Sequence, residues 1–100
     1  PHATVRRQRQ MCIRDSEKTI DIRIKEADLS SYTYQLFKDG IKEIAKKVTE
    51  EAGEVSIAAV TNDGRVVSES ADLIYHLLVM LKTQSLNYKD VLDELELRSK

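Results

Sequence analysis

The stretch IKEIAKKVTEEAGEVSIAA, residues 41–59, decides the fold because its apolar residues recur at steps of three and four. This spacing places them on one stripe of an α-helix, which gains most of its stability by packing against a neighbour. The next residues, TNDG at 61–64, are of the types that favour turns and predict the end of the helix. The stripe consists of Ile41, Ile44, Ala45, Val48, Ala52, Val55 and Ala59.

A second long helix is predicted after this turn, from Val67 to Thr83. Its apolar residues extend almost all round the helix, so we expect it to be buried among other helices. One side carries Val67, Ile74, Leu77, Leu78 and Leu81, and the apolar surface is extended by Leu73, Tyr75, Val79 and Met80.

Shorter helices complete the prediction on either side of this pair. Ser16 is a suitable cap for a helix over residues 17–27, a short helix follows over 32–37, and Asn87 caps a last helix. The inward face of that last helix is predicted to consist of Val91, Leu92 and Leu95. No stretch has a convincing strand pattern, so the predicted fold class is all-α, a bundle of four to five helices.

The composition indicates one domain without a membrane segment. The chain has 100 residues, of which 41% are apolar and 33% charged, enough for a small core. Its longest nearly apolar stretch, residues 73–81, is about half the length of a membrane span. Cys12 is the single cysteine, so no intramolecular disulfide can form, which favours a reducing compartment. We therefore expect a cytoplasmic protein with no membrane partner.

The net charge of −1 averages two unlike segments. Residues 1–16 hold four arginines against one aspartate, whereas residues 17–100 hold twelve Lys and Arg against sixteen Asp and Glu. A phosphate-binding basic arm and a targeting peptide are two interpretations of the first segment. We favour a third, because the segment has neither a helical nor an alternating period: residues 1–16 are a non-native or disordered leader, and 17–100 form the domain. No nucleic-acid partner is expected.

Four acidic residues on the two long helices need an explanation beyond solvation. Glu51 and Glu54 are three residues apart, as are Glu69 and Asp72, so each pair shares a helix face. If the helices pack antiparallel through their short connection, the four carboxylates converge without an equal number of basic partners. A divalent cation resolves this repulsion, and an all-oxygen ligand set favours a hard ion such as Mg²⁺.

Two motifs carry a resemblance to a known family. KKVTEEAGE at 46–54 and ESAD at 69–72 look like the ExxE…ExxD metal signature of the all-α nucleoside-triphosphate pyrophosphohydrolase superfamily. Within it, four ordered blocks resemble the phosphoribosyl-ATP pyrophosphohydrolases of histidine biosynthesis, over residues 17–100. The blocks are SYTYQLF (31–37), IAKKVTEEAGE (44–54), ESADLIYHLLVML (69–81) and VLDELELR (91–98).

The resemblance implies a homodimeric enzyme that uses Mg²⁺ to hydrolyse the α–β phosphoanhydride of phosphoribosyl-ATP, which gives phosphoribosyl-AMP and pyrophosphate. Glu51 and Glu54 would be its catalytic carboxylates, one of which orients and deprotonates the attacking water. The implied metal ligands are Glu50, Glu51, Glu54, Glu69 and Asp72, although the helical angle of Glu50 points away from the apolar stripe. Cations are expected near the leaving pyrophosphate, and the candidate substrate-binding residues are Lys47, Lys46, Lys38 and Tyr34.

His76 lies one turn after Asp72 and is a candidate either to support a ligand or to accept a proton; the alternative is a hydrogen-bonded core residue. Two other functions stay open. A house-cleaning pyrophosphohydrolase acting on free or damaged triphosphates would share every metal ligand. A nonenzymatic helical interaction module would leave the acidic clusters as solvated faces.

Overall fold

The computed structural model describes residues 12–99, and this part of the chain is all-α. No strand occurs in that range, so the predicted bundle of four to five helices is confirmed with five. No helix between residues 12 and 99 is long and apolar enough to cross a membrane. The helices are α1 (Ile13–Glu26), α2 (Tyr32–Asp39), α3 (Ile41–Thr61), α4 (Val66–Thr83) and α5 (Tyr88–Arg98).

Helices α3 and α4 form the principal contact of the fold. Their connection reverses the chain through two residues in the left-handed region, Asn62 with φ 52° and Gly64 with φ 83°. Asn and Gly adopt this conformation more readily than other residues, so the TNDG turn predicted from the sequence is confirmed. The reversal makes the two long helices neighbours.

One small core joins the first four helices. It consists of Ile20 from α1, Leu36 from α2, Ile44 from α3, and Leu78 and Val79 from α4. The predicted stripe on α3 contributes Ile44 to it, and the second fully buried residue of α3 is Ala58. The core therefore holds the first turns of α3 against the later turns of α4, and the acidic pairs lie further along the same two helices.

The first helix begins at Ile13, whereas the sequence predicted its start after Ser16. Asp15 accounts for the difference, because its carboxylate accepts a hydrogen bond from the backbone N–H of Cys12 at 3.4 Å and caps the helix. Helix α1 thus extends into the segment interpreted as a non-native or disordered leader. Residues 1–11 of that segment lie outside the described residues.

Helix α5 is attached to the rest of the bundle mainly by polar contacts. The backbone N–H of Tyr88 donates to the buried Glu17 carboxylate on α1 at 2.8 Å, and Arg14 donates to the Tyr88 hydroxyl at 3.1 Å. On the other side of the Glu17 carboxylate, the Lys82 ammonium on α4 lies at 3.6 Å. These contacts orient α5 without burying its apolar side chains.

The burial expected for α4 and for the apolar face of α5 is not found within a single copy of the chain. Helix α4 is not enclosed by other helices, since Val67 is 83% exposed and Ile74 is 44% exposed. The predicted inward face of α5 is also open, because Val91, Leu92 and Leu95 line a groove of about 200 Å³ with the outer side of α4. The physical reason is the lack of a covering element: among the described residues, nothing packs on the far side of this groove.

Replacing Ile44 with alanine should destabilise the protein by about 3 kcal/mol, because the deletion leaves a cavity among fully buried side chains. Urea unfolding followed by circular dichroism measures the change. Val60→Ala on the same helix is the matched control, since Val60 is exposed and its truncation should change stability by less than about 0.5 kcal/mol. Equal effects of the two substitutions would contradict the assigned core.

Candidate metal centre

Three carboxylates from the two long helices converge as the sequence predicted. Glu51 on α3 and Glu69 and Asp72 on α4 each offer one oxygen, and these atoms lie within 4.8 Å of one another. The antiparallel reversal brings α3 beside the first turns of α4, and the three-residue step places Glu69 and Asp72 on one face. We refer to these three residues as the carboxylate cluster.

The cluster contains two buried oxygen atoms with no hydrogen-bond donor among the described residues. They are Oε2 of Glu51 and Oε2 of Glu69. A buried carboxylate oxygen without a donor is costly, so such atoms are normally paired or bind a cation. The donor set is all oxygen, which suits a hard divalent ion such as Mg²⁺. The residues present therefore fit the metal that the sequence implied.

Glu54 extends the cluster along α3. The pKa of the Glu69 carboxyl is raised, first because Glu54 lies within hydrogen-bond reach and stabilises the protonated form, and then by burial and by the charge of Glu54. The charge of Asp72 acts in the same direction, whereas Arg65 opposes it. Crowding by Glu54 therefore makes the charged form of Glu69 less favourable than that of an isolated glutamate.

Arg65 is a charged neighbour that the sequence reasoning missed. Its Nη1 atom lies 3.6 Å from Oε1 of Glu69, one helical turn away, and its Nε atom lies 3.4 Å from Oδ2 of Asp63. The four-residue step from Arg65 to Glu69 was visible in the sequence as an ion-pair spacing. Because the Arg65 side chain is mostly exposed, this ion pair offsets only part of the repulsion within the cluster.

His76 is buried and is held at both ring nitrogens. Nδ1 lies 2.8 Å from the backbone carbonyl oxygen of Asp72, and Nε2 lies 2.7 Å from the hydroxyl of Tyr32 on α2. A carbonyl can only accept, so Nδ1 carries the hydrogen and donates to it. The same nitrogen lies 3.7 Å from Oε1 of Glu51. The histidine therefore borders the carboxylate cluster, and its Tyr32 partner was not foreseen.

Glu50 lies outside the carboxylate cluster. It is exposed, and its Oε2 atom lies 4.0 Å from the Nζ atom of Lys47 one turn earlier. Its direction agrees with the helical angle, which pointed it away from the apolar stripe. The structure therefore does not bring Glu50 together with the other implied ligands.

The remaining substrate-binding candidates lie on the surface of α2 and α3. Lys46 and Lys38 are exposed, Lys47 is half-buried, and Tyr34 is half-buried with its backbone N–H bonded to the cap of α2. Among the described residues, none of these side chains forms a hydrogen bond or an ion pair with the carboxylate cluster. Their proposed role concerns the phosphates of a substrate, and it stays a prediction.

These features define an all-α domain with a carboxylate cluster across two antiparallel helices. The chain belongs to the phosphoribosyl-ATP pyrophosphohydrolase family, whose sequence profile matches residues 13–99. The matched range begins at the first residue of α1 and includes the entire acidic site. The family resemblance predicted from the sequence is thereby confirmed.

Named relatives agree with this assignment. A phosphoribosyl-ATP pyrophosphatase of Pyrobaculum neutrophilum is 49% identical over 87 residues, which are 86% of this chain and 93% of that protein. The protein of the same name from Pyrobaculum aerophilum is 52% identical over 85 residues, 84% of this chain and 90% of that protein. The histidine biosynthesis bifunctional protein HisIE of Bacillus subtilis is 49% identical over 83 residues, 82% of this chain and 40% of that protein.

Mg²⁺ at a hundredfold excess over its dissociation constant should raise the unfolding temperature of the protein by about 10 °C. Glu69→Gln should abolish this increase, because it removes a ligand oxygen. Without metal, the variant should unfold no earlier than the wild type: the raised pKa of Glu69 means that its charged form weakens the fold at neutral pH, and glutamine is neutral. Differential scanning calorimetry with and without EDTA measures both effects.

Glu43→Gln is the matched control for this substitution. Glu43 is an exposed glutamate in the first turn of α3, away from the cluster. It should keep the full metal-dependent increase, and loss of that increase in both variants would contradict the assigned site.

Proposed function

We propose that this chain hydrolyses the α–β phosphoanhydride of phosphoribosyl-ATP, releasing phosphoribosyl-AMP and pyrophosphate with Mg²⁺ as cofactor. The observation that carries the proposal is the convergence of carboxylates with two donorless buried oxygens in a member of this family. The printed names of the relatives support the substrate, and the all-oxygen donor set supports the metal. The same arrangement supplies a defined role for each acidic residue.

The carboxylates of Glu51, Glu69 and Asp72 would hold the cation, and Glu54 would complete the set on the exposed side. The bound ion would neutralise phosphate charge and make a water molecule more acidic. Glu54 is exposed beside Glu69 and reaches solvent, so it is placed to orient the attacking water and accept its proton. Glu51, the second catalytic glutamate, is less exposed than Glu54. It would contribute chiefly by holding the cation.

Basic side chains on the adjoining helices receive the leaving pyrophosphate. The ion pair between Lys47 and Glu50 is exposed and long, so it is weak and leaves the ammonium free to turn toward phosphate oxygens. Lys46 and Lys38 are exposed on α3 and α2 and can approach the same anion. Tyr34 on α2 would contribute a hydroxyl to the same anion.

The purified protein should release pyrophosphate from phosphoribosyl-ATP in the presence of Mg²⁺, and EDTA should abolish the release. A substrate panel that also contains dUTP and ATP tests the assignment by coupled pyrophosphate detection. Turnover of free triphosphates without turnover of phosphoribosyl-ATP would contradict it and favour the house-cleaning activity. In the same assay, Asp72→Asn should lower kcat by about 100-fold or more, whereas Glu43→Gln should not.

We also propose that the protein is a cytoplasmic homodimer. The outer side of α4 and the open face of α5 form one apolar surface, and contiguous exposed apolar surface of this kind indicates a protein contact. A small domain buries a limited core alone, so a second copy would supply the missing cover. The cytoplasmic location is supported by the histidine-biosynthesis relatives and by the single cysteine.

Leu95→Glu should convert the dimer into a monomer, because it places a charge in the centre of the apolar face of α5. Light scattering coupled to size exclusion measures the mass at micromolar concentration. Leu29→Glu is the matched control, since Leu29 is similarly exposed but lies in the connection between α1 and α2. A wild-type protein that elutes as a monomer would overturn the proposal.

A further inference from the structure

Two contacts that involve tyrosine hydroxyls join helix α2 to helix α4. Tyr32 on α2 contacts Nε2 of His76 on α4 at 2.7 Å, and Thr33 on α2 contacts the hydroxyl of Tyr75 on α4. The rings of Tyr32 and Tyr75 both meet the imidazole edge to face, at centroid distances of 5.9 and 5.6 Å. The two contacts are chemically alike, but only that of Tyr32 reaches a nitrogen of His76.

The Tyr32 contact holds the His76 ring at the nitrogen farther from the carboxylate cluster. In neutral histidine one nitrogen donates and the other accepts. The Asp72 carbonyl requires the donor at Nδ1, and Nε2 then accepts from the Tyr32 hydroxyl. The carbonyl thus sets the tautomer, and the hydroxyl keeps the ring in its orientation. Nδ1 also lies 3.7 Å from Oε1 of Glu51, so its N–H dipole acts on that oxygen without forming a hydrogen bond.

We propose that Tyr32, acting through His76, is a positioning residue for the Glu51 carboxylate. The inference rests on the proposed function in one respect, that Glu51 is a metal ligand. The Nδ1–H dipole attracts Oε1 of Glu51, so the donorless Oε2 is the atom left for the cation. Partners that hydrogen-bond to the groups around metal ligands orient those ligands and tune affinity in this manner. The docking of α2 and the affinity for metal are thereby coupled.

Removal of the Tyr32 hydroxyl frees one side of the ring. The Asp72 carbonyl still keeps the hydrogen on Nδ1, but Nε2 loses its hydrogen-bond donor, so the ring can tilt about the remaining hydrogen bond. The distance from Nδ1 to Oε1 of Glu51 is then no longer fixed, and the Glu51 side chain loses its preferred orientation. The fold has little to lose, because the Tyr32 side chain is 55% exposed.

The test compares Tyr32→Phe with Tyr75→Phe in the full chain, using Mg²⁺ and Mn²⁺ alone as titrants in calorimetry. Each substitution deletes one hydroxyl that joins α2 to α4. Tyr32→Phe should weaken metal binding by about tenfold, and Tyr75→Phe should leave it unchanged although it also lowers the unfolding temperature. Equal metal affinity in the two variants would overturn the inference, since a purely structural contact affects both alike.

A second measurement places His76 between Tyr32 and Glu51. Asparagine can present an amide N–H where Nδ1 lies, and it has no second ring nitrogen for the Tyr32 hydroxyl to hold. Tyr32→Phe should therefore have no further effect on metal affinity in the His76→Asn background. A full tenfold loss there would show that Tyr32 acts by another route and would overturn the inference.

These titrations contain no nucleotide, so they separate the inference from the proposed substrate. Wild-type protein that binds metal but releases no pyrophosphate from phosphoribosyl-ATP would overturn the proposed function alone. Wild-type protein that binds neither metal would overturn both.

Discussion

The contact between α3 and α4 forces like charges together, and the chemistry of the site depends on how that repulsion is compensated. Burial of Ile44, Leu78 and Val79 stabilises the helix pair. This apolar packing fixes the positions from which Glu51 and Glu69 extend. The carboxylates are thus brought together by the packing of other side chains on the same helices, and their mutual repulsion is a cost that the core offsets.

Within the described chain, three features reduce this repulsion, each in part. Glu54 raises the pKa of Glu69, so Glu69 takes up a proton more readily than an isolated glutamate does. Arg65 contributes a positive charge from a largely exposed position, where ion pairs are weak. The Nδ1–H dipole of His76 lies 3.7 Å from Oε1 of Glu51 and acts on it at long range. None of these features gives either donorless oxygen a partner, whereas a divalent ion held by the cluster would supply the missing positive charge.

The parts of the structure that depend on local spacing could be predicted from the sequence. Helix α3, the turn residues after it and the three-residue acidic steps are properties of short segments, and they appear in the structure. The apolar stripe of α3 appears only in part, since Ala52 and Ala59 are exposed whereas Ala58, outside the stripe, is buried. The start of α1 was missed because its first turn is set by a cap at Asp15 rather than by apolar periodicity. The link from Tyr32 to His76 was missed because its residues are far apart in sequence and meet only through the docking of α2.

Burial could not be predicted where it depends on elements other than the helix itself. The almost continuous apolar surface of α4 suggested enclosure, but its sides have different neighbours. Glu69, Asp72 and His76 fall within a sector about 60° wide that faces α3, at 100° per residue. On the opposite side, Ile74 and Leu81 line the open groove with α5.

These two sides belong to one helix, which moves as a rigid unit. Whatever covers the groove contacts α4 directly and can displace it only as a unit, so the spacing between Glu69 and Asp72 is preserved. Their distance to Glu51, by contrast, depends on how α4 lies against α3. The apolar core between these helices therefore influences the geometry of the carboxylate cluster as well as the stability of the fold, and a cavity there would shift the carboxylates even though none of them is replaced.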